Sequence, residues 1–249
     1  MTFSGARVIV TGGASGIGLA TARWFGEHGA AVAVLDRDEA RIEGISNYIV
    51  DVTNDDAVRH AVGVAITHLE GLDTLVNNAG IGAQGTVEDN DDEEWMRVLD
   101  INLLGLVRVT RACLPALRHS KNASIVNTCS VAASVGLPER ALYSASKGAV
   151  ASLTLAMAAD YLPQGIRVNC VSPGTTDTPW IGRLLGRSAD PQAERAALSA
   201  RQPHGRLVTG EEIAAAIGYL AGRDSGSTTG TTLVVDGGLS TLRMRPIPQ

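Results

Sequence analysis

Short apolar runs rich in β-branched residues alternate along this chain with longer helix-like stretches. The short runs fall at 7–10, 31–35, 48–50, 74–76, 124–127, 167–171 and 232–235, and the helix-like stretches lie near 17–28, 54–69, 92–119, 142–162 and 210–221. Within the short runs there is little in/out alternation, as expected of strands buried on both faces. Strand and helix alternating over the whole length predict an α/β fold, a doubly wound, seven-stranded parallel sheet with helices on both faces. No internal repeat, low-complexity segment or linker divides the sequence, so residues 1–249 read as a single domain.

Two regions break the rhythm. Residues 173–208 contain Pro173, Pro179, Pro191 and Pro203, with short arginine-bearing helical pieces between them. A connection this long in a compact domain is usually functional, and 173–208 reads as a substrate lid. The tail 243–249, with two prolines, follows the last short run and cannot extend a helix or the sheet core.

Composition narrows the function. With 249 residues, 45% of them hydrophobic, the chain can bury a substantial core. No apolar run approaches the roughly 18 residues of a membrane span, and residues 1–7 lack the apolar stretch of a signal peptide, so a cytoplasmic location is expected. A net charge of −5 without a basic run argues against nucleic acid as a partner. Cys113, Cys129 and Cys170 are odd in number and widely spaced, which speaks against a disulfide framework or a metal site.

The candidate chemistry begins after the first predicted strand, in Thr11-Gly-Gly-Ala-Ser-Gly-Ile-Gly18. Glycines 12, 16 and 18 allow a sharp turn and close approach of a pyrophosphate at a helix N-terminus. The spacing is G-x-x-x-G-x-G, and no Gly-Lys-Ser/Thr follows as in a P-loop. Asp36 ends the second predicted strand; a carboxylate there can accept hydrogen bonds from an adenosine ribose and repels a 2′-phosphate. Ser15 offers that phosphate no charge, whereas Arg37 could bind it if Asp36 swung away; the balance predicts NAD over NADP. Asp51 and Val52, after the third strand, would meet the adenine amino group and ring; alternatively Asp51 is a helix cap, a role open also to Thr53 or Asn54. Tyr143 and Lys147, four apart, share one helix face, and the chain has one other lysine, Lys121. An ammonium beside a phenol favours its ionised form, making a base able to deprotonate an alcohol near neutral pH.

These residues resemble the short-chain dehydrogenase/reductase family, over essentially the whole chain. Thr11–Gly18 looks like its glycine motif, Asn77-Asn-Ala-Gly80 like its sheet-stabilising element, and Asp236-Gly-Gly238 like the turn after its last strand. Asn102, Ser130, Tyr143 and Lys147 fall where the family has its catalytic tetrad. The resemblance implies a Rossmann fold and an NAD-dependent oxidoreductase. In it Tyr143 exchanges the alcohol proton, Lys147 assists it and holds the ribose hydroxyls, and Ser130 steadies the substrate oxygen. Asn102, through its side chain or its backbone, holds a water that feeds protons to Lys147. It also places Gly12, Ser15, Gly16, Ile17, Gly18, Asn78, Ala79 and Gly80 along the cofactor, with Pro173, Gly174, Thr176 and Thr178 at the nicotinamide carboxamide. Ala133 and Cys129 stand where many members have Gly and Ser, and neither change removes a catalytic group.

Few aromatic residues (4%) are present to line a pocket for a large ring. Arg140 precedes Tyr143 by three residues, Arg183 and Arg187 lie in the lid, and Arg201 and Arg206 bracket its end. An arginine fork suits a carboxylate, so the expected substrate is a small hydroxy acid or deoxy sugar acid, touched by Ser130, Tyr143, Arg140, Arg183 and Arg201. The lid resembles that of family members acting on 3-hydroxybutyrate and on 2-keto-3-deoxy sugar acids. Trp180 either covers the nicotinamide or anchors the lid, and His204 reads as structural. The resemblance further implies a homotetramer with two-fold axes. Competing readings are an NADPH-dependent 3-oxoacyl carrier-protein reductase, opposed by Asp36 and Ser15, and a non-catalytic dinucleotide-binding protein, opposed by the intact tetrad.

Overall fold

The computed structural model describes residues 2–40, 42–186 and 188–245. Its elements run β1 (Arg7–Thr11), α1 (Gly16–Glu27), β2 (Ala31–Asp36), β3 (Ser46–Ile49), α2 (Asp55–Leu69), β4 (Thr74–Asn77), α3 (Asp92–Leu99), α4 (Gly105–Leu117), β5 (Ser124–Thr128), α5 (Ala141–Tyr161), β6 (Arg167–Pro173), α6 (Pro179–Leu185), α7 (Pro191–Ala200), α8 (Gly210–Ala221) and β7 (Thr232–Val235). The strands form one parallel sheet in the order β3-β2-β1-β4-β5-β6-β7. This is the predicted doubly wound, seven-stranded Rossmann architecture.

The apolar runs are continuous because successive residues serve opposite cores. On one face, Ile9, Leu35, Leu75, Ile125 and Cys170 pack with residues of α2, α4 and α5. On the other, Val8, Val10, Val34, Val76, Val126 and Val171 pack with Phe25 of α1 and Ile213, Ile217 and Leu220 of α8. Both layers are helical, so the central strands are buried on both faces, while the half-exposed β3, with Ser46 and Asn47, and β7 lie at the edges.

Three predicted elements change. The third strand starts at Ser46, two residues earlier than expected, and pairs Ser46 with Ala33. The single helix expected at 92–119 is two helices, α3 and α4, joined by a π turn at Asp100–Leu104. The segment 173–208, expected as a lid, contains two proper helices, α6 and α7, each with proline in its first turn, where a missing N–H costs nothing. Ile181, Leu185, Leu198 and Leu207 give the lid a small core separate from the two sheet cores. Gln202 Nε2 donates to the backbone oxygens of Thr175 (3.2 Å) and Arg206, tying the base of the lid to the exit of β6.

Candidate active site

The strand order reverses beside β1, whose neighbours are β2 and β4, and the crevice opens at the carboxyl ends of these strands. There β1 delivers the glycine loop. Gly12 is left-handed (φ 66°), and a Cβ on Gly18 would stand 2.0 Å from the Gly12 oxygen, so this turn and the first turn of α1 touch backbone to backbone. Thr11 Oγ1 accepts from the backbone N–H of Asn78 (2.9 Å) and Ala79 (3.0 Å), while Asn78 Nδ2 donates to the oxygens of Gly12 (3.1 Å) and Thr11 (3.2 Å). Asn78 and Ala79 thereby clamp the loop to β4. Asn77, one residue earlier, is buried and donates to Thr110 Oγ1 and Asn127 Oδ1, both at 3.0 Å. At the start of α1, Ser15 makes no side-chain cap bond and the first turn carries no acidic residue. Its N–H groups and positive dipole end, with Gly16 and Ile17 beside them, fit an anionic pyrophosphate.

At the far side of the crevice Asp36 is held rigidly: Oδ2 accepts from Ala14 N at 2.8 Å and Oδ1 from Asp38 N at 3.0 Å. Arg37 is exposed and lies 3.9 Å from Asp38. Asp51 does not cap α2. It closes a turn, accepting from Thr53 N (2.9 Å) and Oγ1 (2.8 Å), and Asn54 is the cap, accepting from Ala57 N at 3.0 Å. Val52 is buried against Gly105, where an added Cβ would come within 2.7 Å of Val52 Cγ2, so the side chain expected as an adenine wall is largely in the core.

Three of the four positions expected as a tetrad lie together: Tyr143 and Lys147 share one face of α5, and Asn102 bonds Ser146 of that helix. Lys147 is buried, its Nζ donating to Thr128 O at 2.9 Å and lying 5.8 Å from the centroid of the Tyr143 ring. Cys129 backs this helix turn by donating to Lys147 O at 3.3 Å; its thiol is pushed above the usual value, first by its hydrogen bond with Cys170 and then by burial. Ser130 sits at the end of β5, 9% exposed, and its Oγ accepts from Ala132 N at 3.2 Å. The Asn102 side chain is held by the protein: Oδ1 accepts from Ile81 N (2.7 Å), and Nδ2 donates to Ile81 O (2.9 Å) and Ser146 Oγ (3.1 Å). Its backbone carbonyl, the other group expected to hold a water, lies within the π turn. Gly80 lies alongside, where a Cβ would be 3.1 Å from Asn102 Oδ1 and 3.6 Å from Lys147 Nζ.

The exit of β6 crosses in front of the glycine loop. Pro173 ends the strand; Gly174 has no room for a Cβ, which would meet Gln202 Oε1 at 2.3 Å. Thr176 Oγ1 donates to Gly174 O at 3.1 Å, and Thr178, at the start of α6, faces Gly16, whose Cβ would sit 3.4 Å from Thr178 Cγ2.

The arginines separate. Arg140 is half-buried, its Nη1 donating to Ala83 O at 3.1 Å and its Cζ 5.5 Å from the centroid of the Trp180 ring. Burial, and then the charge of Arg201, push its pKa below the ordinary guanidinium value, with Tyr143 and Glu139 acting the other way. Among the described residues neither Arg140 nor Arg201 has a carboxylate partner. Arg183 is exposed on α6, Arg187 lies outside the described residues, and Arg206 is taken by Glu212 in a fork of 2.8 and 2.6 Å. His204 packs against Gly237 on the surface. Sequence reading overlooked Ser146, Gln202 and Gly82, whose contacts with Asn102, Thr175 and Trp180 span long stretches of chain and leave no local signature. No cluster of three or more His, Cys, Asp or Glu suited to a metal is present among the described residues.

Residues 12–240 match the family model described as enoyl-(acyl carrier protein) reductase. The chain is 37% identical over 240 residues to dehydrogenase/reductase SDR family member 6 of Rattus norvegicus, covering 94% of this chain and 96% of that protein. It is similar to the ligand-free structure of an aldohexose dehydrogenase from Thermoplasma acidophilum, with a TM-score of 0.93 at 34% identity, covering 99% of this chain and 98% of that one. It is similar also to an NAD⁺-bound xylitol dehydrogenase, with a TM-score of 0.88 at 32% identity, covering 96% of this chain and all (100%) of that one. A crevice built for a dinucleotide, a tyrosine and a buried lysine on one helix face, and likeness over nearly the full length place this chain in the short-chain dehydrogenase/reductase family, as an oxidoreductase.

Proposed function

We propose that this oxidoreductase transfers a hydride between NAD(H) and a small secondary alcohol or ketone bearing an anionic group, a hydroxy acid or deoxy sugar acid, with Tyr143 as the acid/base. One observation carries the anionic group: Arg140, half-buried between Ala83 O and the Trp180 ring, feels the charge of Arg201 against that of Glu139, and neither arginine is ion-paired to a carboxylate among the described residues. Burial and like-charge repulsion both disfavour the charged Arg140, and a substrate carboxylate between the two cations offsets both. Arg183 lies on the same lid and is the outer candidate.

NAD, when bound, supplies the hydride acceptor. Gly12, Ser15, Gly16, Ile17 and Gly18 would hold its pyrophosphate, Asp36 its adenosine ribose, Asp51 and the edge of Val52 its adenine, and Pro173, Gly174, Thr176 and Thr178 its carboxamide. Asn78, Ala79 and Gly80 act from behind, fixing the loop and the floor beside Lys147. Asp36 supports NAD over NADP, since a 2′-phosphate would displace a carboxylate bonded to Ala14 N; the NAD⁺-bound neighbour points the same way.

Tyr143 Oη takes the hydroxyl proton in oxidation and returns it in reduction. Ser130 Oγ already accepts from Ala132 N, which leaves its own proton to donate to the substrate oxygen. Lys147, anchored on Thr128 O, sets a positive charge on the helix face of the phenol and would hold the ribose hydroxyls. The Asn102 carbonyl would hold the water that passes protons to Lys147.

An initial-rate screen with NAD⁺ and NADP⁺ against hydroxy acids, sugar acids, free sugars and neutral secondary alcohols tests this reading. NAD⁺ activity confined to acids is the expected outcome, and Tyr143→Phe should cut kcat by about 10²-fold or more while NADH still binds. Preference for neutral sugars, which the aldohexose and xylitol dehydrogenases favour by likeness, would remove the anionic group. Activity only with NADPH on acyl thioesters would make the carrier-protein reductase the better answer.

A further inference from the structure

We propose that Trp180 is a specificity-determining residue that makes closing the lid and presenting Arg140 to the substrate's anionic group a single event. This inference rests on the anionic-substrate reading above.

Three contacts carry it. Trp180, in the first turn of α6, seats its indole directly on Gly82: a Cβ there would stand 2.8 Å from Cζ2, 3.0 Å from Cε2 and 3.2 Å from Nε1. Gly82 follows the Asn77–Gly80 segment that is clamped to the glycine loop, so the indole rests on a fixed floor. The same ring receives the Arg140 guanidinium at 5.5 Å, within the range of a cation–π contact.

Arg140 belongs to the body of the protein. Glu139 before it is left-handed (φ 54°), Gly85 N donates to Glu139 O at 2.9 Å, and Arg140 itself donates to Ala83 O. A non-glycine residue in that conformation is costly and persists where its surroundings hold it. Trp180 and Arg201, by contrast, belong to the lid. Closing the lid therefore brings one favourable partner to Arg140, the indole, and one unfavourable partner, a second cation. An anion bound between the two guanidinium groups removes the repulsion and leaves the stacking, so acids bind with the lid closed; a neutral alcohol leaves the repulsion in place and binds with the lid open, drawing nothing from the indole.

The test compares KM for a hydroxy acid and for its neutral amide in the wild type and in Trp180→Leu, Trp180→Phe and Gly82→Ala. Trp180→Leu should raise KM for the acid roughly tenfold more than KM for the amide, the size of a lost partly desolvated cation–π contact. Gly82→Ala should shift the ratio in the same direction by moving the indole, and Trp180→Phe, which keeps an aromatic face and guards against a folding defect, should recover most of the wild-type ratio. Equal rises for acid and amide would reduce Trp180 to an anchor of the lid and overturn the inference, as would an unchanged ratio. A wild type that turns over neutral alcohols and no acids overturns the anionic-substrate reading first, and this inference with it; a wild type that prefers acids, with variants of unaltered ratio, overturns this inference alone.

Discussion

At the end of β2 the Asp36 carboxylate uses one oxygen on Ala14 N and the other on Asp38 N, so its position is set by the glycine loop before any ligand arrives. Hydrogen bonds to a charged group of this kind contribute about 1.5–3 kcal/mol each. Asp36→Ala should therefore raise KM for NAD⁺ roughly tenfold to a hundredfold and lower KM for NADP⁺, because the exposed Arg37 becomes the nearest charge. Initial rates with both cofactors check this, and an unchanged ratio would strip Asp36 of the selecting role. Asp36 was legible because it directly follows an apolar strand at a fixed distance from the loop. Asn102 was legible only as a position: its side-chain partners, Ile81 and Ser146, lie 21 and 44 residues away, and no local pattern reveals that its amide is spent on them. Asp51 and Asn54 show the same limit on a shorter scale. Either could cap α2 from sequence, and the side-chain oxygen that reaches Ala57 N decides for Asn54.

Among the elements, the sheet was the most legible and the connections the least. Strands buried on both faces announce themselves as unbroken apolar runs, whereas the π turn at Asp100–Leu104 hides in a stretch where Ile101, Leu103 and Leu104 surround Asn102 with apolar residues and mask any change of phase. The break in the strand–helix rhythm at 173–208 was visible through its prolines, yet its internal core was not, because Ile181, Leu185, Leu198 and Leu207 are scattered across two helices and a loop. If this segment is a lid, a core of its own predicts that it opens without disturbing the sheet. Leu198, 3% exposed, is the place to test it. Truncating a buried leucine costs about 2–5 kcal/mol, and here the loss falls on the lid alone. Leu198→Ala should speed limited proteolysis within 179–200 roughly tenfold or more and raise KM, with the global melting temperature nearly unchanged. A fall in melting temperature matching a core truncation would show instead that lid and sheet unfold together.

For the whole molecule the telling feature is the edge of the sheet at β7. The central strands are buried along their length, but β7 alternates exposed and half-buried residues, leaving Val234 41% exposed on an unpaired edge. Leu155 of α5, 58% exposed, lies close by, its Cδ2 3.8 Å from where a Cβ on Gly230 would be. An open edge flanked by apolar side chains invites pairing with another chain, and in a two-fold assembly each such side chain is buried twice. The family resemblance implies a homotetramer in which the helices at 92–119 and 142–162 form one contact and the last strand lies near a second; we propose that the open β7 edge is that second contact. Light scattering on the purified protein at micromolar concentration should then give four times the 25.9 kDa chain mass. Val234→Glu places two carboxylates near a two-fold axis and removes about 1.5–3 kcal/mol of apolar burial per side chain, enough to split the tetramer into dimers. A wild type of monomer mass would dismiss the assembly outright, and a Val234→Glu variant that stays tetrameric would move the contact away from β7. Because Lys147 is anchored on Thr128 O of its own chain and Tyr143 lies on the same helix, the dimeric variant should keep its kcat.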